Sequence, residues 1–356
     1  MPPLFWKCLA PLLLLSGFHA GAAPQDAAAK LATKLASTSE LALYQGADRQ
    51  QRLIEAAKKE GTLTVYHVYP NLPVVIAEFT KKYGIKVKTW RAGSEAVLQR
   101  LTAEARSGRS EVDVVQNNAP ENEAAHREKL LQEVRSIHHK DLIAAALPSH
   151  GEWVGITQDI WSLAYNTNAV KKEELPNSYA DLQDSKWKGR LGIESNNHVW
   201  FGTLLGELGE EQGSKIFNTI MTTNGISARK GHSLLTVLVA SGEVPLALTV
   251  YSWNPEQIKQ KNAPIEGLLL SPVIAQISGI AMLKRAPNPA SALLFYEFMI
   301  SEGQKHLADT LFVPVSKKFV PPYGSKPVKF IDPSKALDMQ DKWQKNFDEM
   351  IVKRAK

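Results

Sequence analysis

Cysteine is almost absent. Cys8 is the only one in 356 residues. It precedes the apolar run Leu9-Ala10-Pro11-Leu12-Leu13-Leu14-Leu15, whereas a lipoprotein signal places its cysteine after such a run. Cleavage near Ala22 leaves a mature chain with none, which excludes disulfides, thiolate metal ligands and a cysteine nucleophile. Long hydrophobic runs are also missing. The Leu9–Leu15 run is roughly half the ~20 residues a transmembrane helix needs, and the other apolar stretches are broken by charges. No strong charge bias exists either. The net charge is +6, and losing Lys7 leaves +5 (6 − 1). Lys81-Lys82, Lys171-Lys172 and Lys317-Lys318 are isolated pairs beside acidic residues and read as solvated faces. With no basic stripe interleaved with aromatics, no nucleic-acid partner is expected. The mild basic balance is consistent with an anionic ligand. There is no G-x-S-x-G elbow, P-loop or dinucleotide fingerprint, so no enzyme chemistry is expected. Of nine histidines, none pair at i, i+4 spacing, so neither a metal nor a cofactor is expected.

What the chain does carry begins with an address. Lys7, the apolar run and Ala20-Gly21-Ala22 form a secretory signal over residues 1–22, and imply a periplasmic protein with no membrane insertion after cleavage. Residues 23–60 read as a helical leader, ending in the amphipathic Leu53–Glu60 closed by Gly61. Strands over 63–66, 85–90 and 112–115 then alternate with helices over 74–83 and 94–108, with Ser94 as N-cap. Two extended segments, 153–156 and 162–166, follow. A helix starts at 178–182, strands cover 191–194, 245–250 and 277–283, and helices cover 203–208, 212–222 and 233–240. Residues 290–301 read as an amphipathic helix. The alternation indicates an α/β fold with largely parallel sheets wrapped by helices. The length exceeds one typical domain, yet there is no linker or repeat. Two lobes joined by crossing strands satisfy both facts.

Several phrases resemble the type II periplasmic solute-binding proteins of ATP-driven (ABC) importers, nearest the branch labelled ferric-iron or extracellular solute-binding. They run in family order: Glu60–Tyr66, Phe79–Val87, Ser110–Val115, Ala164–Asn168, Asp181-Leu182 with Lys186–Leu191, Ser241–Pro245, Ala286–Ala290, Phe295–Met299 and Ser301–Gln304. The resemblance implies a two-lobed fold of mixed sheets flanked by helices, with an interlobe cleft that closes by hinge motion. Lobe 1 is expected over 61–158 and 275–356 and lobe 2 over 159–274, with the C-terminal helices packing on either lobe. A small-molecule ligand, an inner-membrane ABC permease as partner and a monomer are implied.

Ligands in open α/β sheets bind beyond the carboxyl ends of strands. That rule selects Tyr69 after the first strand, Arg91 and Ser94 after the second, and Asn117 and Asn118 after the third. In the second lobe it selects Asn197, Trp200, Arg229, Lys230, His232, Ser233, Tyr251 and Trp253, with Ser278 on the return crossover. Ser94 and Ser233 follow glycine-containing loops at helix starts, where free N–H groups attract anions. Arg91, Arg229 and Lys230 stand beside them and can bind carboxylate or phosphate. These loops contain no acidic residue, which argues against a cationic ligand. Glu121-Asn122-Glu123 reads as a helix's solvated start.

Family members that carry ferric iron have two adjacent tyrosines before a tryptophan. Here the segment is Tyr251-Ser252-Trp253, and the first-lobe carboxylate position is Asn117 or Asn118. The expectation is a periplasmic component of an ABC importer for a small anionic organic or phosphorylated solute. Ferric iron or an iron chelate is the alternative, as is a ligand-sensing partner of a membrane receptor. Enzymes on this scaffold, such as tetrapyrrole-building deaminases, hold their cofactor through a cysteine that the mature chain lacks.

Overall fold

The computed structural model describes residues 38–355. The expected signal peptide and the first part of the leader, residues 23–37, lie outside the described residues. Helix α1 (Arg49–Glu60) ends at Gly61, whose φ of 67° is a left-handed conformation that glycine adopts without penalty. β1 (Thr62–His67), α2 (Leu72–Tyr83), β2 (Lys86–Arg91), α3 (Ser94–Arg106) and β3 (Val114–Asn118) follow. β1 pairs in parallel with both β2 and β3. Ser94 opens α3 but does not cap it; the N-cap position is Gly93. α4 (Ala119–Arg127) leads to a long connection and then to β4 (Val154–Asn166).

The second lobe contains β5 (Leu191–Glu194), α5 (His198–Leu208), α6 (Glu210–Thr223), β6 (Ser227–Arg229), α7 (His232–Ser241), β7 (Leu246–Tyr251), α8 (Trp253–Lys259) and β8 (Ile265–Leu268). The chain returns through β9 (Val273–Met282) to α9 (Pro289–Ile300) and α10 (Gly303–Asp309). It ends in β10 (Val328–Phe330), α11 (Pro333–Asp338) and α12 (Gln340–Met350).

The strand order is β2-β1-β3-β9-β4-β7-β5-β6. The two expected segments at 153–166 are one strand, β4, with all 13 residues buried. Its first half pairs antiparallel with β9, and its second half with β7 and β8. β4 and β9 are therefore the threads between lobes. Each lobe has its own apolar core: Phe79, Phe295 and Phe298 lie in the first, and Trp187, Trp200, Phe201 and Phe217 in the second.

Two expectations change. Residues 178–182 form only a 3₁₀ turn, Tyr179–Gln183, closed by reciprocal Ser178–Asp181 bonds. α9 is not amphipathic, because every residue from Ala290 to Ile300 is buried. The helix is packed on all sides, and its Glu297 is neutralised by Arg49 from α1 and bonded by Ser136 Oγ at 2.6 Å.

The C-terminal segment spans both lobes. α11 lies on α4, where Arg127 Nη1 meets Asp338 at 2.7 Å. α12 lies on α5 and α6, and its Phe347 enters the second core. Trp343 covers Gly202, where an added Cβ would stand 2.3 Å from the indole. Among the described residues, no helix is long and apolar enough to cross a membrane.

Candidate functional site

Strand ends from the two lobes meet at one cleft. β1, β2 and β3 end at His67, Arg91 and Asn118; β5, β6 and β7 end at Glu194, Arg229 and Tyr251. The crossover strands form the floor. Thr157 pairs with Ser278 and Asp159 with Gln276, and residues two apart on a strand share a face. All four side chains are buried.

Tyr69 crosses this floor. Its hydroxyl donates to Asp159 Oδ1 at 2.7 Å and also bonds Thr157 Oγ1. Its ring stacks on Phe312 at 4.5 Å and meets the Trp253 ring edge-on at 6.3 Å. Tyr251 comes from lobe 2, and its hydroxyl accepts from Gln276 Nε2 at 2.8 Å. The Tyr251 ring stands 4.2 Å from His232, 5.6 Å from Trp161 and 5.8 Å from Trp253. Gln116 locks the loop after β1, because its Oε1 accepts the Val68 and Tyr69 N–H groups at 3.0 and 3.3 Å. Its Nε2 donates to Ser278 Oγ at 2.8 Å. The lobes also touch at the rim, where Asn196 Nδ2 donates to Glu95 Oε1 at 3.4 Å.

Burial governs the titration of this site. It raises Asp159 from 3.8 to about 7, opposed by the Tyr69 hydrogen bond and by the Trp253 indole. That indole N–H acts on Asp159 from nearby without a hydrogen bond of normal geometry. Burial likewise raises Glu121, in the first turn of α4, from 4.5 to about 7, although the nearby Ser94 hydroxyl opposes the rise. The Tyr251 phenol is pushed well above its ordinary value by burial, then by Asp159, Glu194 and Glu121. Burial pushes His67 and His232 down.

Residues 75–330 match the family described as bacterial extracellular solute-binding protein. The chain belongs to that family. Iron uptake protein A1 of Synechocystis is 26% identical over 249 residues, covering 64% of this chain and 67% of that protein. A putative 2-aminoethylphosphonate-binding periplasmic protein of Salmonella typhi is 23% identical over 288 residues, covering 77% of this chain and 81% of its own. The periplasmic binding protein AfuA of Actinobacillus pleuropneumoniae, solved with fructose-6-phosphate, superposes with a TM-score of 0.71 at 20% identity. That likeness covers 82% of this chain and 98% of AfuA. The family is one of binding proteins, and the two-lobed periplasmic-binding fold is common to these structures.

Within this solute-binding protein, the selected residues fall into groups. Tyr69, Tyr251, Trp253, His232 and Ser278 converge on the floor and its aromatic wall. Asn117 is buried behind it and holds the start of α3 through its Nδ2, 3.1 Å from Ser94 O. Ser94 faces Glu121. Arg91 and Asn118 stand at strand ends, with Arg91 exposed and its Nε on Val68 O at 3.2 Å. Arg229 pairs with Glu243 at 3.5 Å, while Lys230 and Ser233 are exposed at the rim.

Two selected residues leave the cleft. Asn197 spends both ends internally, accepting from Trp161 Nε1 and donating to Thr249 Oγ1, each at 2.9 Å. Trp200 is fully buried among Tyr179, Phe201 and Phe217 in the lobe 2 core. The reason is a helix boundary: α5 begins at His198, so residue 200 points inward instead of sitting in a loop.

The acid-free cleft is a second correction. Asp159 lies mid-strand on the floor, Glu121 is half-buried in the next helix, and Glu194 is buried where β5 ends. Asn122 and Glu123 beside it are buried, so the 121–123 segment is not a solvated start. The signal for Asp159 was a lone charge in an otherwise uncharged strand.

Among the described residues, one cluster could approach a metal. Glu123, His126 and His150 offer ligand atoms within 4.8 Å of one another, away from the cleft. Its groups are already paired. His126 Nδ1 meets Glu152 at 2.8 Å, and His150 Nε2 meets Glu123 at 3.2 Å. His150 Nδ1 accepts the Glu152 N–H at 3.1 Å, which places its proton on Nε2. Ligation through His150 Nε2 requires breaking its bond to Glu123.

Proposed function

We propose that the protein is the periplasmic component of an ABC importer, capturing a small anionic organic or phosphorylated solute between its lobes. It hands the closed complex to an inner-membrane permease, acts as a monomer, and needs neither cofactor nor catalysis. The observation that carries this reading is the convergence of both lobes on the crossover strands, with Tyr69 from one side and Tyr251 from the other. The start of α7 beside Lys230, and Arg91 across the cleft, supply positive potential for the anionic group. The relatives' names, two of which refer to phosphonate or sugar phosphate, support the same class.

A second reading, ferric iron, is favoured by the oxygen donors Tyr251, Asp159 and Glu121, since both carboxylates act on the phenol. Against it stand Ser252 in place of a second phenol and Asn117-Asn118 in place of a carboxylate. A sensing partner of a membrane receptor would use the same closed clamp.

A thermal-shift screen of organic acids, phosphonates and sugar phosphates, with an Fe(III) arm, tests the proposal. A bound solute at a hundred times its Kd stabilises the fold by about 2.7 kcal/mol, a readable shift. Stabilisation by Fe(III) and by no anion would overturn the anion reading.

A further inference from the structure

Two complementary polar atoms stand unbonded where β4 passes between the lobes. Ile160 is the last β4 residue paired with β9, and Trp161 is the first paired with β7. Beside that step, Asp159 Oδ2 and Trp253 Nε1 are both buried without a hydrogen bond. The backbone brings their residues together, because Ser252 N donates to Ile160 O at 2.8 Å. An indole N–H can only donate, and a carboxylate oxygen can only accept. Buried polar atoms are rarely left unpaired in a native fold.

The donor that Asp159 does use comes from lobe 1. Tyr69 gives its hydroxyl to Asp159 Oδ1 at 2.7 Å. Its backbone is fixed there, with its N–H on Gln116 Oε1 and its carbonyl accepting from His67 Nδ1 at 2.9 Å. Trp253 opens α8 in lobe 2, yet its ring lies in the lobe 1 core, edge-on to Phe312 at 4.8 Å. One turn on, Gln257 Nε2 donates to Thr310 O at 2.9 Å. The lobes touch at the rim through Asn196 and Glu95, as in a closed clamp. Opening carries Tyr69 and Phe312 away together, which breaks the hydroxyl bond and releases the indole.

We infer that Asp159 exchanges donors as the clamp moves, taking the Tyr69 hydroxyl when closed and the Trp253 indole N–H when open. The exchange keeps one buried carboxylate bonded in both arrangements. Their energies then stay close, and a bound solute can tip the balance. The device concerns the hinge and holds whichever solute is bound.

Pulsed EPR on the solute-stripped protein at pH 8 tests it. Val74→Cys and Leu234→Cys place spin labels at exposed positions on α2 and α7, one on each lobe. Cys8 is the only native cysteine and lies in the expected signal peptide, so the labels are selective. Trp253→Phe keeps an aromatic ring and removes the N–H. It should raise the closed-to-open ratio about tenfold, the weight of one hydrogen bond to a charged oxygen. Tyr69→Phe removes the hydroxyl and should lower the ratio by a similar factor, alone or in the Trp253→Phe background. Opposite shifts uphold the exchange, since loosened packing at one shared contact moves both variants the same way. Shifts in one direction, or the absence of either shift, overturn it. Should Trp253→Phe not fold, Tyr69→Phe decides alone: a lower ratio upholds the exchange, and an unchanged or higher one overturns it.

Discussion

Replacing Asp159 by Asn should stabilise the solute-free protein at alkaline pH and do little at acid pH. The carboxyl titrates at about 7 in the fold against 3.8 ordinarily. At ~1.36 kcal/mol per pH unit, holding it ionised costs about 4 kcal/mol. The sign follows from proton linkage. Between pH 4 and 7 the folded state binds more protons than the unfolded state, so this carboxyl's contribution is fully present below pH 4 and lost as pH rises through 7. Asparagine keeps the acceptor for Tyr69, and the bond to the charged oxygen is already contained in that net shift. The net expectation is about 4 kcal/mol of added stability at pH 8, shrinking to nothing near pH 4. Urea unfolding followed by circular dichroism at pH 4.5, 6 and 8 measures this, on protein stripped of solute by unfolding and refolding. A variant less stable than wild type at pH 8, or a difference independent of pH, would refute the reasoning.

Other expectations concern packing. Arg49→Ala leaves Glu297 buried without its cation and should cost about 3–5 kcal/mol, read as a lower midpoint in urea. Gly202→Ala puts a methyl 2.3 Å from the Trp343 ring, and should cost about 1–3 kcal/mol in the same assay. The penalty should shrink in a Trp343→Leu background, since the two sites share one contact.

Much of the fold is legible in the sequence because its signals are local. Gly61, Gly84 and Gly242 stop helices in the left-handed conformation, and the helix and strand periods alternate cleanly between them. The cleft is less legible, because strand ends name loops without saying where a side chain points. Tyr69 and Tyr251 could be placed by that rule. Trp200 could not, since a shift of a few residues in where α5 begins turns its ring from the cleft to the core. Asp159 escaped because its importance depends on pairing with Gln276, 117 positions away (276 − 159). The burial of α9 was hidden for a related reason. Its polar positions find partners such as Arg49 and Ser136, far away in the chain.

The tail raises a mechanical point. β4 and β9 alone would join the lobes as a two-strand ribbon, which can bend and also twist about its length. The tail is a third tether, anchored off that axis by Arg127–Asp338 on one side and by Trp343 and Phe347 on the other. Three non-collinear attachments remove torsional freedom that two leave open. The motion remaining to the lobes is then closer to a single angle, so a distance label across the cleft mouth would suffice to report it.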